Sequence, residues 1–263
     1  MQIFRNLYIY RELLKTNIKK EIRGKYKGSF LGVLWSFINP LLMTLVYAIV
    51  FPWLLRGSQI ENYLIFLIVA IIPWNFFTVV IGQGGQCIRN EAGIIKKVYF
   101  PREILPISIA VSGLINFFIS CVIIICFLIG SGVGLSFYIL LLPIVAIVQT
   151  LFSLALVFMI SSINVYIKDL EYIVNFIIQM LFYGTPILYG IETVMSAKAP
   201  VWIVKLIEIN PLTTIMGAYR DLLYYKQMFD VKAFVIVCVI TLVVLIVGYR
   251  IFKKLEKGFA EEL

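Results

Sequence analysis

The sequence contains no histidine, and only 14% of its 263 residues are charged. Without imidazole a chain lacks the usual proton carrier near neutral pH and the commonest metal ligand. Other reactive constellations are missing too. There is no Asp-x-Asp pair, no serine in a Gly-x-Ser-x-Gly elbow, and no cysteine pair at metal-binding spacing. The phosphate-cradling Gly-x-x-x-x-Gly-Lys-[Ser/Thr] loop is absent as well: the one Gly-Lys pair, Gly24–Lys25, is followed by tyrosine. The chain is therefore not expected to hydrolyse ATP by that route, and no catalytic residue, metal site or cofactor of its own is assigned. Cys87, Cys121, Cys126 and Cys238 lie in or beside apolar runs and read as small hydrophobes, not as disulfides or ligands. A signal peptide is not expected, because the first 32 residues carry eight Lys/Arg and no uninterrupted apolar core.

What the chain has in abundance is hydrocarbon. Hydrophobic residues make up 62% of it, and the mean hydropathy is +0.99. That composition is that of an integral membrane protein. The formal charge of +9 is accordingly a topology signal, and no nucleic-acid partner is expected. Six spans are predicted, at about Leu31–Leu55, Tyr63–Gly82, Ile104–Ile129, Phe137–Tyr166, Tyr172–Tyr189 and Ala233–Ile251. With a cytoplasmic N-terminus, seventeen of the 23 Lys/Arg residues fall on the cytoplasmic side, which places both termini there.

Within residues 1–30, Ile3, Leu7, Tyr10, Leu14, Ile18 and Ile22 recur every three or four positions, with basic residues mostly between them. This predicts an amphipathic helix in the membrane interface. Its basic face either fixes orientation or makes a contact; periodicity does not choose. Gly24, Gly28 and Gly32 follow as breakers, and Asn39–Pro40 should kink the first span. Between Gly190 and Lys232 the chain is long and apolar. Asn210–Pro211 is a helix start, an N-cap followed by proline at the first position. Residues 191–230 are thus expected to form a re-entrant helical hairpin, the alternative being a loop lying on the outer surface.

The stretch Asn90–Pro106, NEAGIIKKVYFPREILP, concentrates charge between two apolar runs and is where a partner could grip the chain. No acidic residue falls mid-span, which weakens a proton- or sodium-coupled carrier. Neutral polar residues mid-span, including Asn116, Gln149, Asn164 and Gln179, suit hydrogen bonds between helices. The aromatics, 20 Phe, 15 Tyr and 4 Trp, divide between interface belts and the interior. Phe37, Tyr47, Phe51, Phe176 and Tyr183 lie within the first and fifth spans. There they either pack the bundle or line a path whose ring faces stack on sugar C–H groups.

Four motifs in order, RGKYKGSFLGVLWSFINPLL (Arg23–Leu42), IIKKVYFPREILP (Ile94–Pro106), KDLEYIVNFIIQMLFYGTPILY (Lys168–Tyr189) and NPLTTIMGAYRDLL (Asn210–Leu223), make the chain resemble the permeases of type-2 ABC polysaccharide exporters. These move O-antigen, teichoic acid, capsule or rhamnose-polymer chains. The resemblance implies a homodimer of an all-α membrane domain occupying 1–263, paired with two separate ATPase subunits that bind ATP and magnesium. It implies a bacterial cytoplasmic-membrane location and a glycan carried on undecaprenyl diphosphate. By the same resemblance, residues 86–102 form a coupling helix, with Asn90, Glu91, Lys96, Lys97 and Arg102 facing the ATPase. Phe100, Pro101, Arg102 and Glu103 match a Phe-Pro-Arg-Glu corner, at which Arg102 and Glu103 pair or meet lipid headgroups. Lys168–Asp169 stands where the family often has Arg-Asp. Arg220 and Asp221, after Asn210–Pro211, are expected to pair and anchor the hairpin. Alternatives within and outside this class are an exporter of a small molecule or drug, and an intramembrane enzyme acting on lipid-linked sugar.

Overall fold

A computed structural model of the chain describes residues 2–24, 35–54, 60–191 and 200–263. Regular structure among these is helical throughout: α1 (Gln2–Ile9), α2 (Arg11–Gly24), α3 (Trp35–Leu54), α4 (Tyr63–Asn90), α5 (Ala92–Ile95), α6 (Ile104–Gly130), α7 (Leu142–Tyr166), α8 (Leu170–Gly184), α9 (Val201–Ile209), α10 (Pro211–Arg220), α11 (Val231–Leu255) and α12 (Phe259–Glu262). Four regions are long and apolar enough to cross a bilayer: α4, α6, α7 with the 3₁₀ turn Phe137–Leu141 before it, and α11 with the turn after it. A fifth is added if α9 and the Pro211–Tyr225 segment, bent by 75° at Asn210, count as one span. The chain is a multi-pass helical membrane protein, with fewer full-length spans among the described residues than the six expected.

For the fifth expected span the shortfall has a local cause. The fifth expected span, Tyr172–Tyr189, stops early: α8 has 15 residues, about 22 Å of helix against a hydrocarbon core of about 30 Å. Pro186 is responsible, since the residue before a proline is pushed out of the helical region, and Thr185 is extended at φ −107°, ψ 135°. The second span is longer than expected, for α4 continues through Asn90. Of the 86–102 coupling helix only the single turn Ala92–Ile95 is a separate helix. The start of the first span and the Gly28/Gly32 breakers lie outside the described residues, as do the side chains of Phe37 and Asn39. Pro40 sits inside α3 without interrupting it, and Thr44 Oγ1 donates to its carbonyl at 2.7 Å.

Burial ranks the helices. In α4, 78% of the apolar window is buried, against 28% in α6 and 22% in α11. Apolar all round, α4 is the central post, packed on α3, α6, α7 and α8. Helix α11 packs one side on α7, where Gly248 allows contact with the Ala155 backbone. Its other side turns Val235, Val239, Leu242, Val243 and Ile246 outward, a face suited to lipid. Polar residues of α7 tie the post in place. Gln149 Nε2 donates to the Pro73 carbonyl at 2.8 Å and accepts from Tyr219 Oη at 2.7 Å, and Asn164 Nδ2 donates to the Gly85 carbonyl at 2.8 Å. Such bonds contribute about 0.6 kcal/mol each on average in membrane bundles. Cys87 and Cys121 are buried, whereas Cys126 is exposed on α6.

The helices alternate in direction, so the bundle has two ends. One, here the basic end, gathers α1, α2, the turn from α4 to α6, and the ends of α7 and α11. The other gathers the 184–190 loop, α10 and the start of α4.

Candidate coupling corner and aromatic cleft

At the basic end, four exposed residues, Lys96, Lys97, Val98 and Tyr99, project from the turn after α5. Tyr99 is 90% exposed, the most open of the large hydrophobic side chains. This projection stands on a fixed base. Ile95 and Phe100 are buried on either side of it, in a cluster with Ile88, Leu105, Phe158, Phe252 and Phe259. Pro101 follows in the turn that starts α6. The predicted stripe of the N-terminal segment meets the same cluster: Leu7, Tyr10 and Leu14 pack against it, partly buried, and α2 lies along α6.

Charged groups lock the corner. Glu103 is fully buried and accepts from Asn6 Nδ2 at 2.9 Å and Lys253 Nζ at 2.8 Å. Lys253 also reaches Glu256 at 2.9 Å. Arg102 donates to the Glu256 carbonyl and lies 5.6 Å from the Phe259 ring centroid. Arg102 and Glu103 therefore do not pair with each other. Adjacent in sequence, they point to different neighbours, and each joins the corner to the C-terminal turn. One turn away, Lys20 of α2 pairs with Glu91, and beside them opens a cleft of about 470 Å³ lined by Gln83, Gln86, Asn90 and Glu21. Burial raises the Glu21 carboxyl above its usual range, opposed by the Lys20 charge and reinforced by Glu91. Lys168 and Asp169 are exposed in the turn before α8 and form no ion pair among the described residues.

A second cleft, of about 380 Å³, opens between α3, α4 and α8 and is lined by Tyr47, Trp74, Asn75, Gln179, Phe182 and Tyr183 among others. Its rings touch: Tyr47 and Phe182 centroids are 5.9 Å apart, Trp74 and Phe182 5.7 Å, and Tyr47 meets Phe51 edge-on at 5.8 Å. Of the expected path residues, Tyr47 and Tyr183 face this cleft and Phe51 backs it. Phe176 is 61% exposed on α8 and does not line it.

The model of the ABC-2 type transporter family matches residues 12–224. The chain belongs to this family. Over its whole length it is 32% identical to an O-antigen export system permease protein RfbA of Myxococcus xanthus, covering all of both chains. To the permease protein of the same name from Klebsiella pneumoniae it is 33% identical over 259 residues, 98% of this chain and 97% of that one. The family match runs from α2 through the Asp221–Tyr225 turn, so in this ABC-2 chain it includes the corner, the aromatic cleft and the bent α9–α10 pair, and stops before α11.

At the end opposite the corner, Asn210 caps α10 as its sequence predicts, Oδ1 accepting from Leu212 N–H at 3.0 Å, with Pro211 at the first helical position. Its Nδ2 donates to Thr185 Oγ1 at 2.9 Å. The expected Arg220–Asp221 pair does not form. The Arg220 guanidinium, 5% exposed, instead donates to the carbonyls of Pro186, Ile187 and Tyr189 and stacks on Phe66, 3.7 Å from its centroid. Asp221 accepts from Gln227 Nε2 at 2.8 Å. Tyr63 Oη adds a bond to the Leu188 carbonyl at 2.6 Å. The sequence signal for this cage is a lone arginine in an apolar helix and a Gly-Thr-Pro helix break 35 residues earlier, at 184–186. Neither names the other.

Proposed function

We propose that this chain is the membrane-spanning permease of a bacterial exporter that moves a polysaccharide of O-antigen or related type, carried on undecaprenyl diphosphate, out of the cytoplasm. The observation that carries this reading is the full-length similarity to two O-antigen export permeases. ATP is hydrolysed on separate subunits, in keeping with the missing phosphate loop. The basic end faces the cytoplasm, as the distribution of Lys and Arg favours. The Lys96–Tyr99 projection then seats in an ATPase subunit, and its rigid base passes the nucleotide cycle into α4 and α6. Two copies of the chain form the channel. Tyr47, Tyr183 and their neighbours offer ring faces for C–H stacking, with Asn75 and Gln179 able to exchange hydrogen bonds with sugar hydroxyls. The bent α9–α10 pair supports a re-entrant element at the outer mouth, where the irregular 185–189 backbone is buried with carbonyls satisfied by side chains, the condition for non-helical backbone at membrane depth.

Charge reversal at Lys96 and Lys97 tests the docking step. We expect the double variant to insert normally, to lose co-purification with the ATPase and to abolish glycan export. Unchanged co-purification and export would refute docking at this projection.

A further inference from the structure

We infer that the cleft between α1, the Tyr99–Arg102 corner and the C-terminal turn is a binding site for a lipid-borne phosphate, taken from the anionic phospholipid of the bilayer. The cleft is the roomiest of those at the basic end, about 690 Å³. Arg5, Arg102, Lys253 and Lys257 line it, from three separate parts of the chain, against a single lining carboxylate, Glu256. Behind it the buried Glu103 is already engaged by Lys253 and Asn6. Two of the four cations are already engaged within the protein: Lys253 is paired with two carboxylates, and Arg102 is held by the Glu256 carbonyl and the Phe259 ring. Arg5 and Lys257 make no ion pair among the described residues, although both border the cleft.

Converging unpaired cations repel one another, and an anion in the cleft relieves that repulsion. The remaining donors suit a phosphodiester. Tyr10 and Tyr99 bring hydroxyls to the wall, and a guanidinium offers paired N–H groups to phosphate oxygens. The setting favours a lipid over a soluble anion. Tyr8, 71% exposed, and Ile9, 62% exposed, extend an aromatic and aliphatic edge from α1 beside the cleft. Basic residues flanked by exposed aromatic and aliphatic groups are the pattern of an interfacial headgroup contact. The site is preorganised, because the Asn6–Glu103–Lys253 network already binds its three walls together.

The test uses the purified full-length chain in neutral detergent, without an ATPase, so its result stands apart from the transport reading. Phosphatidylglycerol, phosphatidylcholine and inorganic diphosphate are each titrated, and binding is read by thermal shift and native mass spectrometry. We expect phosphatidylglycerol to bind and raise the melting temperature, and phosphatidylcholine to do neither. The R5Q/K257Q double variant leaves the Glu103 network intact and should melt like the parent without lipid. Its affinity for phosphatidylglycerol should be weaker by roughly 30-fold, as expected for loss of two interfacial cations. Equal binding of the two phospholipids, or undiminished phosphatidylglycerol binding by the variant, would overturn the site. Binding of inorganic diphosphate in preference to phosphatidylglycerol would overturn the assignment to bilayer lipid and point to the diphosphate of a lipid-linked substrate.

Discussion

Each end of this bundle holds a buried ionic group, and the two are satisfied in opposite ways. At the basic end Glu103 is met by a cation and an amide from distant parts of the chain, and Lys253 carries a second carboxylate. At the other end Arg220 has no carboxylate partner among the described residues and spends its terminal N–H groups on three backbone carbonyls, its Nε–H being buried without a partner. The first arrangement joins side chains from separate parts of the chain. The second satisfies a stretch of backbone that has left the helix, with Tyr63 Oη adding a bond to the same loop at Leu188. Under the proposed reading, the first end is where force enters from a partner and the second is a fixed rim.

The largest effect should come from breaking the cage. Arg220→Met leaves three carbonyls with lost donors, and we expect a loss of about 3 kcal/mol or more, read as unfolding free energy in detergent micelles. Arg220→Lys should recover only part of it, because an ammonium is a point donor that cannot span the loop as a planar guanidinium does. A cost for Arg220→Met below that of the corner variant would reverse the comparison. Glu103→Gln should cost less, about 2 kcal/mol in the same assay, since Lys253 keeps Glu256 and is partly open to water. Its distinguishing sign is a freed α1, seen as faster hydrogen exchange over residues 2–9 with the 184–190 loop unchanged. Equal exchange at both places would mean that the two ends are not separate units.

The smallest effect concerns Glu21. Its carboxyl is raised by burial, so the folded state holds a proton more readily than the unfolded chain. The stabilisation linked to that proton is fully present below the ordinary carboxylate range and is lost as pH rises through the raised value. Glu91 and Lys20 are the charged groups facing it, and they pull in opposite directions. Glu21→Gln should therefore flatten the pH dependence of hydrogen exchange in α2, with a slightly slower exchange at pH 8. A pH profile identical to that of the parent would remove Glu21 as its source.

Much of the corner was legible in advance. The break between apolar runs at Asn90–Pro106, the proline and the basic character all follow from composition and local sterics, as does the Asn210 cap with Pro211. Helix ends were less legible. The polar residues Gln83, Gln86 and Asn90 look like an exit from the membrane, yet α4 carries them on, because neighbouring helices supply packing that a hydropathy window does not see. The pairings were least legible of all. Adjacent Arg102 and Glu103, and adjacent Arg220 and Asp221, invite a local ion pair, but adjacent residues on a helix point about 100° apart. Each found a partner more than 30 positions away, apart from Asp221, whose partner is the nearby Gln227.

By itself the sequence determined that this is a helical membrane protein lacking a Gly-x-x-x-x-Gly-Lys-[Ser/Thr] motif, because hydropathy and motif content are read along the chain and need no geometry. It also determined the family, through motifs held in order. Only the tertiary structure decided which charges meet, that α8 stops short of a full span with its exit loop caged by Arg220, and that four cations converge on one cleft. Those outcomes depend on long-range packing, where burial makes an unpaired group costly enough to select a partner from anywhere in the chain.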